Sequence, residues 1–183
     1  MKAPRTARVR PPGPVPTAAT LREAALRHLA RFSTTQIGLV RVLDRRIDRW
    51  ARAADGAPDD VRAAQQAARA VAAALVEAGV VDDRAFAAAR ARRLARAGRS
   101  GLRITAHLAE RGVADENRPA PPDAEAELAA ALAYAAKRRL ADKDPTKALG
   151  ALARAGFSHD VARRALAMPP DEARDRVLAL KAG

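Results

Sequence analysis

The 183-residue chain contains no cysteine. That excludes a disulfide framework, a thiolate zinc site, an iron–sulfur cluster and a cysteine nucleophile. Its three histidines, His28, His107 and His159, are scattered along the chain, so no multi-histidine metal centre is expected and structural roles are assigned to all three. Aromatic residues make up only 3% of the chain, and alternating β-branched stretches are missing, which removes the usual signals for strands. No apolar run approaches the ~18 residues of a membrane span. The N-terminus also lacks the apolar segment of a secretory signal. No glycine-rich loop follows a strand, so no nucleotide-cradling loop is expected. Acid is scarce relative to base: 34 Lys and Arg stand against 21 Asp and Glu, a net charge of +13. These absences predict a cytoplasmic protein with no cofactor and without affinity for membranes. Its expected partner is anionic: nucleic acid, or a protein carried on nucleic acid.

What the chain has in excess is alanine, 50 residues of 183. Alanine is the best helix former and arginine is close behind, so the fold class predicted is all-α. Residues 1–19 are set apart by Pro4, Pro11, Pro12, Pro14 and Pro16 and by basic residues without an acid. They are read as a disordered basic arm, because proline at this density blocks helix and nothing there can build a core.

Beyond the arm, capping and stop signals divide the chain into helices. The first runs from about Leu21 to Arg31, with Leu21, Ala25, His28, Leu29 and Phe32 on one face. The second starts at a Ser33 cap, with Ile37, Val40, Leu43, Ile47 and Trp50 as its apolar stripe. A third opens at Asp59-Asp60, favoured there by the helix dipole, and stops at Gly79. Asp82 and Asp83 open the next, with Phe86 as its largest core anchor, and Gly98 ends it. Ser100 caps a short helix with Ile104 and Leu108 inward and Gly112 as the stop. Residues 114–123, with Pro119, Pro121 and Pro122, are a loop. Helix resumes over about 124–140. Asp144-Pro145 is an acid cap with proline at the first helical position, and that helix ends at Gly156. Ser158 caps a further helix with Val161, Ala162 and Leu166 inward, and Pro169-Pro170 opens the last.

The chain's three serines mark a repeat. Ser33, Ser100 and Ser158 each stand at a predicted helix start, shortly after a Leu-Ala-Arg that closes the preceding helix. Their separations, 67 and 58 residues, imply three tandem three-helix repeats. Unit one spans 20–79, unit two 80–140 with a loop insertion at about 114–123, and unit three 141–183. Charge follows the repeat. Residues 21–56 carry +4 and residues 79–113 and 137–168 carry +5 each, while 57–78 carry −1 and 114–136 carry −4. Basic blocks recurring along an array suit a long, periodic anionic partner.

Three basic sets are the candidate contacts. At ~100° per residue, Arg41, Arg45, Arg49 and Arg52 fall opposite the second helix's apolar stripe. They can meet phosphates or acidic protein surface, or they are a solvated face partly neutralised by Asp44 and Asp48. Arg92, Arg96, Arg99 and Arg103 form the middle set, with Arg99 between helices. The last set is Lys137, Arg138 and Arg139, with Lys143, Lys147, Arg163 and Arg164. For Lys137 to Arg139, complementing a helix dipole is an equal reading. Trp50, Phe86 and Phe157 are assigned to core anchoring, and Tyr134 is open to core or base-stacking roles.

The junction motifs carry a resemblance. Asp82-Asp83-x-x-Phe86-Ala87 is followed by Gly98-x-x-Gly101-x-x-Ile104-x-x-x-Leu108-x-x-x-Gly112-Val113. Then comes Leu149-x-x-Leu152-x-Arg154-x-Gly156-Phe157-Ser158-x-x-Val161-x-x-x-x-Leu166. This ordered set resembles the RecX family of bacterial regulators of the RecA recombinase over about residues 21–168, with the first unit matching more weakly. The resemblance implies an elongated array of three tandem three-helix repeats. It also implies a monomeric, non-enzymatic regulator in recombinational DNA repair and the SOS response. Such a regulator binds the RecA filament on DNA and mainly inhibits its recombinase, ATPase and coprotease activities, with weak direct binding to DNA. The Pro-rich arm, the Pro119–Pro122 loop and the small first-helix residues depart from the family pattern. The alternative is a direct DNA-binding or architectural protein with helix-turn-helix-like units.

Overall fold

The computed structural model describes residues 13–182, and its secondary structure among them is helical. The elements are α1 (Ala18–Leu29), α2 (Gln36–Ala54), α3 (Pro58–Glu77), α4 (Asp83–Arg96), α5 (Gly101–Glu110), α6 (Ala124–Arg138), α7 (Pro145–Arg154), α8 (His159–Ala167) and α9 (Pro170–Ala182). Short 3₁₀ turns lie at Asp115–Asn117 and Leu140–Asp142. The chain divides into two compact units, one ending at Asp82 and the other running from Asp83 to Gly183.

In the first unit α2 and α1 both pack on α3. Leu39, Leu43 and Ile47, spaced four residues apart on α2, close on Ala64, Ala68, Val71 and Leu75 of α3 and on Leu21 and Ala25 of α1. Alanine at the α3 positions lets helices approach closely while burying little area each. Residues 13–19, assigned to the arm, are structured. Thr17 caps α1 in a reciprocal capping box with Thr20, and Ala18 and Ala19 are already helical. Gly13 to Pro16 lie against α2, where the Trp50 indole N–H donates to the Gly13 carbonyl at 2.9 Å. Residues 1–12 fall outside the described ones.

Ser33 is not a helix cap. Thr35 caps α2, its fully enclosed hydroxyl accepting the Gly38 N–H at 2.9 Å, while Ser33 is exposed. The cause is register: a start at Thr35 places Leu39 in the core, and the β-branched pair Thr34-Thr35 is better tolerated before the helix than within its first turn. The apolar stripe shifts with it. Leu39 is buried, and Ile37 is 45% exposed. Phe32, expected on the inner face of the first helix, lies past its end and is 54% exposed, against His28 and beneath Arg31. Aligned on their true caps, Thr35, Ser100 and Ser158, the residue two before the cap is Ser33, Gly98 and Gly156. Ser33 therefore corresponds to the stop glycines, not to the capping serines.

In the second unit α4 and α5 enclose Ala87, Ile104, Leu108 and Val113. Phe86 is only half-buried at the edge of this cluster, because the inward face of α4 centres on Ala87, one residue and ~100° away. The loop after Val113 is tied back by Arg118, whose Nε and Nη2 donate to the Val113 carbonyl at 3.1 and 2.8 Å. Helix α6, started by an Asp123 cap, shares a second core with α7, α8 and α9, built on Leu128, Leu132, Leu140, Leu152, Phe157 and Val161. The predicted stops at Gly79, Gly98, Gly112 and Gly156 all have left-handed backbone.

Ser100 does more than cap. It is fully buried, accepts the Arg103 N–H at 3.4 Å and donates to the Ala155 carbonyl at the end of α7 at 2.7 Å. The start of one helix is thus bonded to the end of another. Gly156 permits this approach, since a Cβ there would lie 2.7 Å from the Ser100 hydroxyl. Ser100→Ala is expected to cost about 2–4 kcal/mol, adding ~1 for the cap to ~1–3 for an unpaired carbonyl. Ser158, whose hydroxyl meets only the Val161 N–H, should cost ~1 kcal/mol in the same test. Equal shifts in denaturant midpoint for the two variants would remove the cross-helix bond from the account.

Candidate functional site

The second unit gathers cations where three helices end. Helix α4 stops at Arg96 before a left-handed Gly98, α6 stops at Arg138, and α7 stops at Arg154. Around these ends lies a cleft of about 400 Å³, lined by Arg99, Arg103, Arg138, Lys143 and Arg154, with no carboxylate among its lining residues. Its walls are fixed by specific contacts. Gly98 sits so close to α6 that an added Cβ would lie 2.7 Å from the Tyr134 nitrogen. Arg103 donates from Nη2 to the Arg154 carbonyl at 3.0 Å. Arg138 lies over the Tyr134 ring, 5.5 Å from its centroid, and that ring in turn packs against Phe157. Tyr134, open to two roles in the sequence, is a half-buried link between the core and the cleft wall.

An acidic side chain completes the scaffold from behind. Glu127 of α6 accepts the Gly101 N–H at the start of α5, at 2.9 Å to Oε2 and 3.2 Å to Oε1. Burial pushes its carboxyl above the usual range, and the Gly101 N–H partly offsets this. Two residues earlier, Glu125 bonds Arg164 of α8 at 2.8 Å and also binds Arg176 of α9. The Arg164 bond first, then that of Arg176, hold the Glu125 carboxyl below its ordinary range. The acidic run seen at 114–136 is therefore spent partly on internal pairing.

The predicted contact residues separate. Of the middle set, Arg99 and Arg103 line the cleft, Arg92 faces the Pro119–Pro122 loop, and Arg96 is exposed outside both. Of the last set, Arg138 lines the cleft, Arg139 pairs with Asp142, Arg164 pairs with Glu125, and Lys137 and Arg163 are exposed. In the first unit Arg41, Arg45, Arg49 and Arg52 are exposed on α2. Asp44 and Asp48 are half-buried instead of lying among them. Burial raises the Asp44 pKa, Arg69 opposes the rise, and its Oδ1 has no hydrogen-bond partner. Trp50 is half-buried beneath Gly13 to Pro16, outside the three-helix core to which it was assigned. Arg154 was not among the candidates. Its signal was the Leu-Ala-Arg motif itself, which sets Arg154 at the end of α7 as it sets Arg96 at the end of α4.

His107 has the structural role expected. It accepts from Arg90 Nε at 3.0 Å, joining α5 to α4. Burial first, then the Arg90 charge, lower its pKa from 6.5. The unfolded chain then holds more protons than the native one as pH falls below about 6.5, so native stability declines in that direction. His107→Gln is expected to flatten the loss of stability between about pH 7 and pH 5, read from denaturation midpoints at both. An unchanged slope would contradict this assignment.

No helix among the described residues is long and apolar enough to cross a membrane. The profile of the second three-helix domain of RecX matches residues 82–118, which hold the Asp82-Asp83 start, the Gly98 turn and the Ser100 cap. Regulatory protein RecX of Myxococcus xanthus (strain DK1622) is 34% identical over 163 residues, 82% of this chain and 86% of that protein. No solved structure matches.

Proposed function

The chain belongs to the RecX family, and on that premise we propose that it is a non-enzymatic regulator of the RecA recombinase that acts on the nucleoprotein filament. The observation that carries this reading is the family likeness over 82% of the chain. The excess of base agrees with it, since a filament on DNA is a long anionic object. The three tandem three-helix units, read from chain order, would present basic blocks to successive parts of such a partner. The cationic faces would steer approach, and protein–protein contacts would supply specificity.

The test is a paired titration against naked single-stranded DNA and against the same DNA coated with recombinase, at several salt concentrations. Preferential binding to the coated DNA is expected, together with slowed DNA-dependent ATP hydrolysis and strand exchange. Excess protein that changes neither activity would end the proposal. Tighter binding to naked DNA with a steep salt slope would favour a direct DNA-binding protein instead.

A further inference from the structure

We propose that the cleft between the ends of α4, α6 and α7 and the first turn of α5 is a binding site for a phosphoryl group. Five cationic side chains and no carboxylate line it. A bland account is that they complement helix dipoles. Three helix C-termini bring about one and a half negative charges together, so the side chains exceed that need several-fold. One terminal carbonyl, Arg154's, is already served by Arg103.

The ion pairs formed in this unit lie outside the cleft. Elsewhere in this unit Arg118, Arg139, Arg164, Arg174 and Arg176 all pair with Asp or Glu. Among the described residues, Arg99, Arg103, Arg138, Lys143 and Arg154 make no ion pair. Crowding like charges around a concave site raises the local potential and is relieved by an anion.

The donors suit phosphate better than carboxylate. Four guanidiniums and an ammonium can share the several oxygens of a phosphoryl group, whereas a lone carboxylate offers two. Arg103 and Arg138 are held in place by the Arg154 carbonyl and the Tyr134 ring, so little side-chain freedom is lost on binding. A volume of about 400 Å³ lies within the range of small-ligand sites. The phosphoryl group can belong to a nucleic-acid backbone or to a free pyrophosphate-bearing molecule. The site does not rest on the filament reading, and a filament titration can fail with the cleft intact.

The experiment uses the full chain and two probes: inorganic pyrophosphate by calorimetry, and a labelled oligo-dT without terminal phosphate by anisotropy. Three variants are compared with the native protein. Arg99→Gln/Arg138→Gln/Arg154→Gln empties the cleft of three charges. Arg45→Gln/Arg49→Gln/Arg52→Gln removes three from α2 and leaves the same net charge. Lys143→Gln removes one exposed cation in the segment before α7 and tests the site without risk to folding.

The cleft triple variant is expected to weaken pyrophosphate binding at least about tenfold, and Lys143→Gln by about threefold. The α2 variant should stay within about twofold, since none of its three arginines lines the cleft. Amide NMR shifts on adding pyrophosphate should concentrate at Gly98, Arg99 and Ala155. Competition by the oligonucleotide assigns the phosphoryl group to a backbone, and binding without competition assigns it to a free ligand. No pyrophosphate binding by the native protein, or equal weakening by both triple variants, would overturn the site.

Discussion

Gly98→Ala is expected to destabilise the unit spanning residues 83–183 by about 2–5 kcal/mol, the sum of two separate penalties. The backbone at Gly98 is left-handed, with φ +76°, and an L-residue there costs roughly 1–2 kcal/mol. The new Cβ would also lie 2.7 Å from the Tyr134 nitrogen, 3.0 Å from its Cα and 3.2 Å from the Ala130 carbonyl. Those atoms are backbone, so relief requires moving α6 itself, and overpacking of this kind costs about 1–3 kcal/mol. Gly79 is the control. It has a similar φ of +67° but nothing within 4 Å of an added Cβ, so Gly79→Ala should cost only ~1–2 kcal/mol. The protein carries its own reporters, because the single tryptophan, Trp50, lies in the first unit and the single tyrosine, Tyr134, in the second. Denaturation followed at tyrosine should shift strongly for Gly98→Ala, and at tryptophan mildly for Gly79→Ala. Similar midpoint shifts for the two would mean that the close approach to α6 contributes nothing. Gly98 also lines the cleft beside Arg99, so a displaced α6 would separate Arg99 from Arg138 and weaken anion binding in any protein that remained folded.

Much of the helix order was legible because its signals are local. Acid or hydroxyl caps at Asp123, Asp144, Ser100 and Ser158, with glycines at the stops, set boundaries that tertiary contacts did not override. The first junction misled because Ser33, Thr34 and Thr35 are all competent caps. The choice among them was made by burying Leu39, a long-range matter that the caps do not encode. The arm misled for a similar reason. Proline excludes helix over Gly13 to Pro16, but it does not exclude packing against Trp50.

The candidate site was legible in composition and not in assembly. Arg99, Arg103 and Arg138 could be named from charge and helix ends. That Arg99 and Arg138 would face one another across a cleft depends on Gly98 fitting onto α6, a contact between residues more than 30 apart in the chain. Pairing was equally hidden. Arg164 looked as available as Arg163 until Glu125, at the start of α6, was placed beside it.

Leu108→Ala is expected to cost about 2–5 kcal/mol, and more than Phe86→Ala, although sequence alone marks Phe86 as the larger anchor. Leu108 is 1% exposed, and the buried core of α4 and α5 is otherwise only Ala87, Ile104 and Val113. Removing three carbons from so small a cluster leaves a cavity with few side chains able to collapse into it, which puts the cost toward the upper end of that range. Phe86 keeps part of its ring in water in the native state, so truncation forfeits only the part that is covered. The consequence reaches the cleft, because α5 carries Arg103 and Ser100, whose bonds to Arg154 and Ala155 hold the end of α7. Denaturant titrations of the two variants, read at Tyr134, should therefore rank Leu108→Ala below Phe86→Ala in midpoint. Hydrogen exchange should also show the Ala155–Phe157 amides opening sooner in Leu108→Ala than in the native protein. A Phe86→Ala variant as damaging as Leu108→Ala would mean that the aromatic ring, and not the buried leucine, organises the α4–α5 pair.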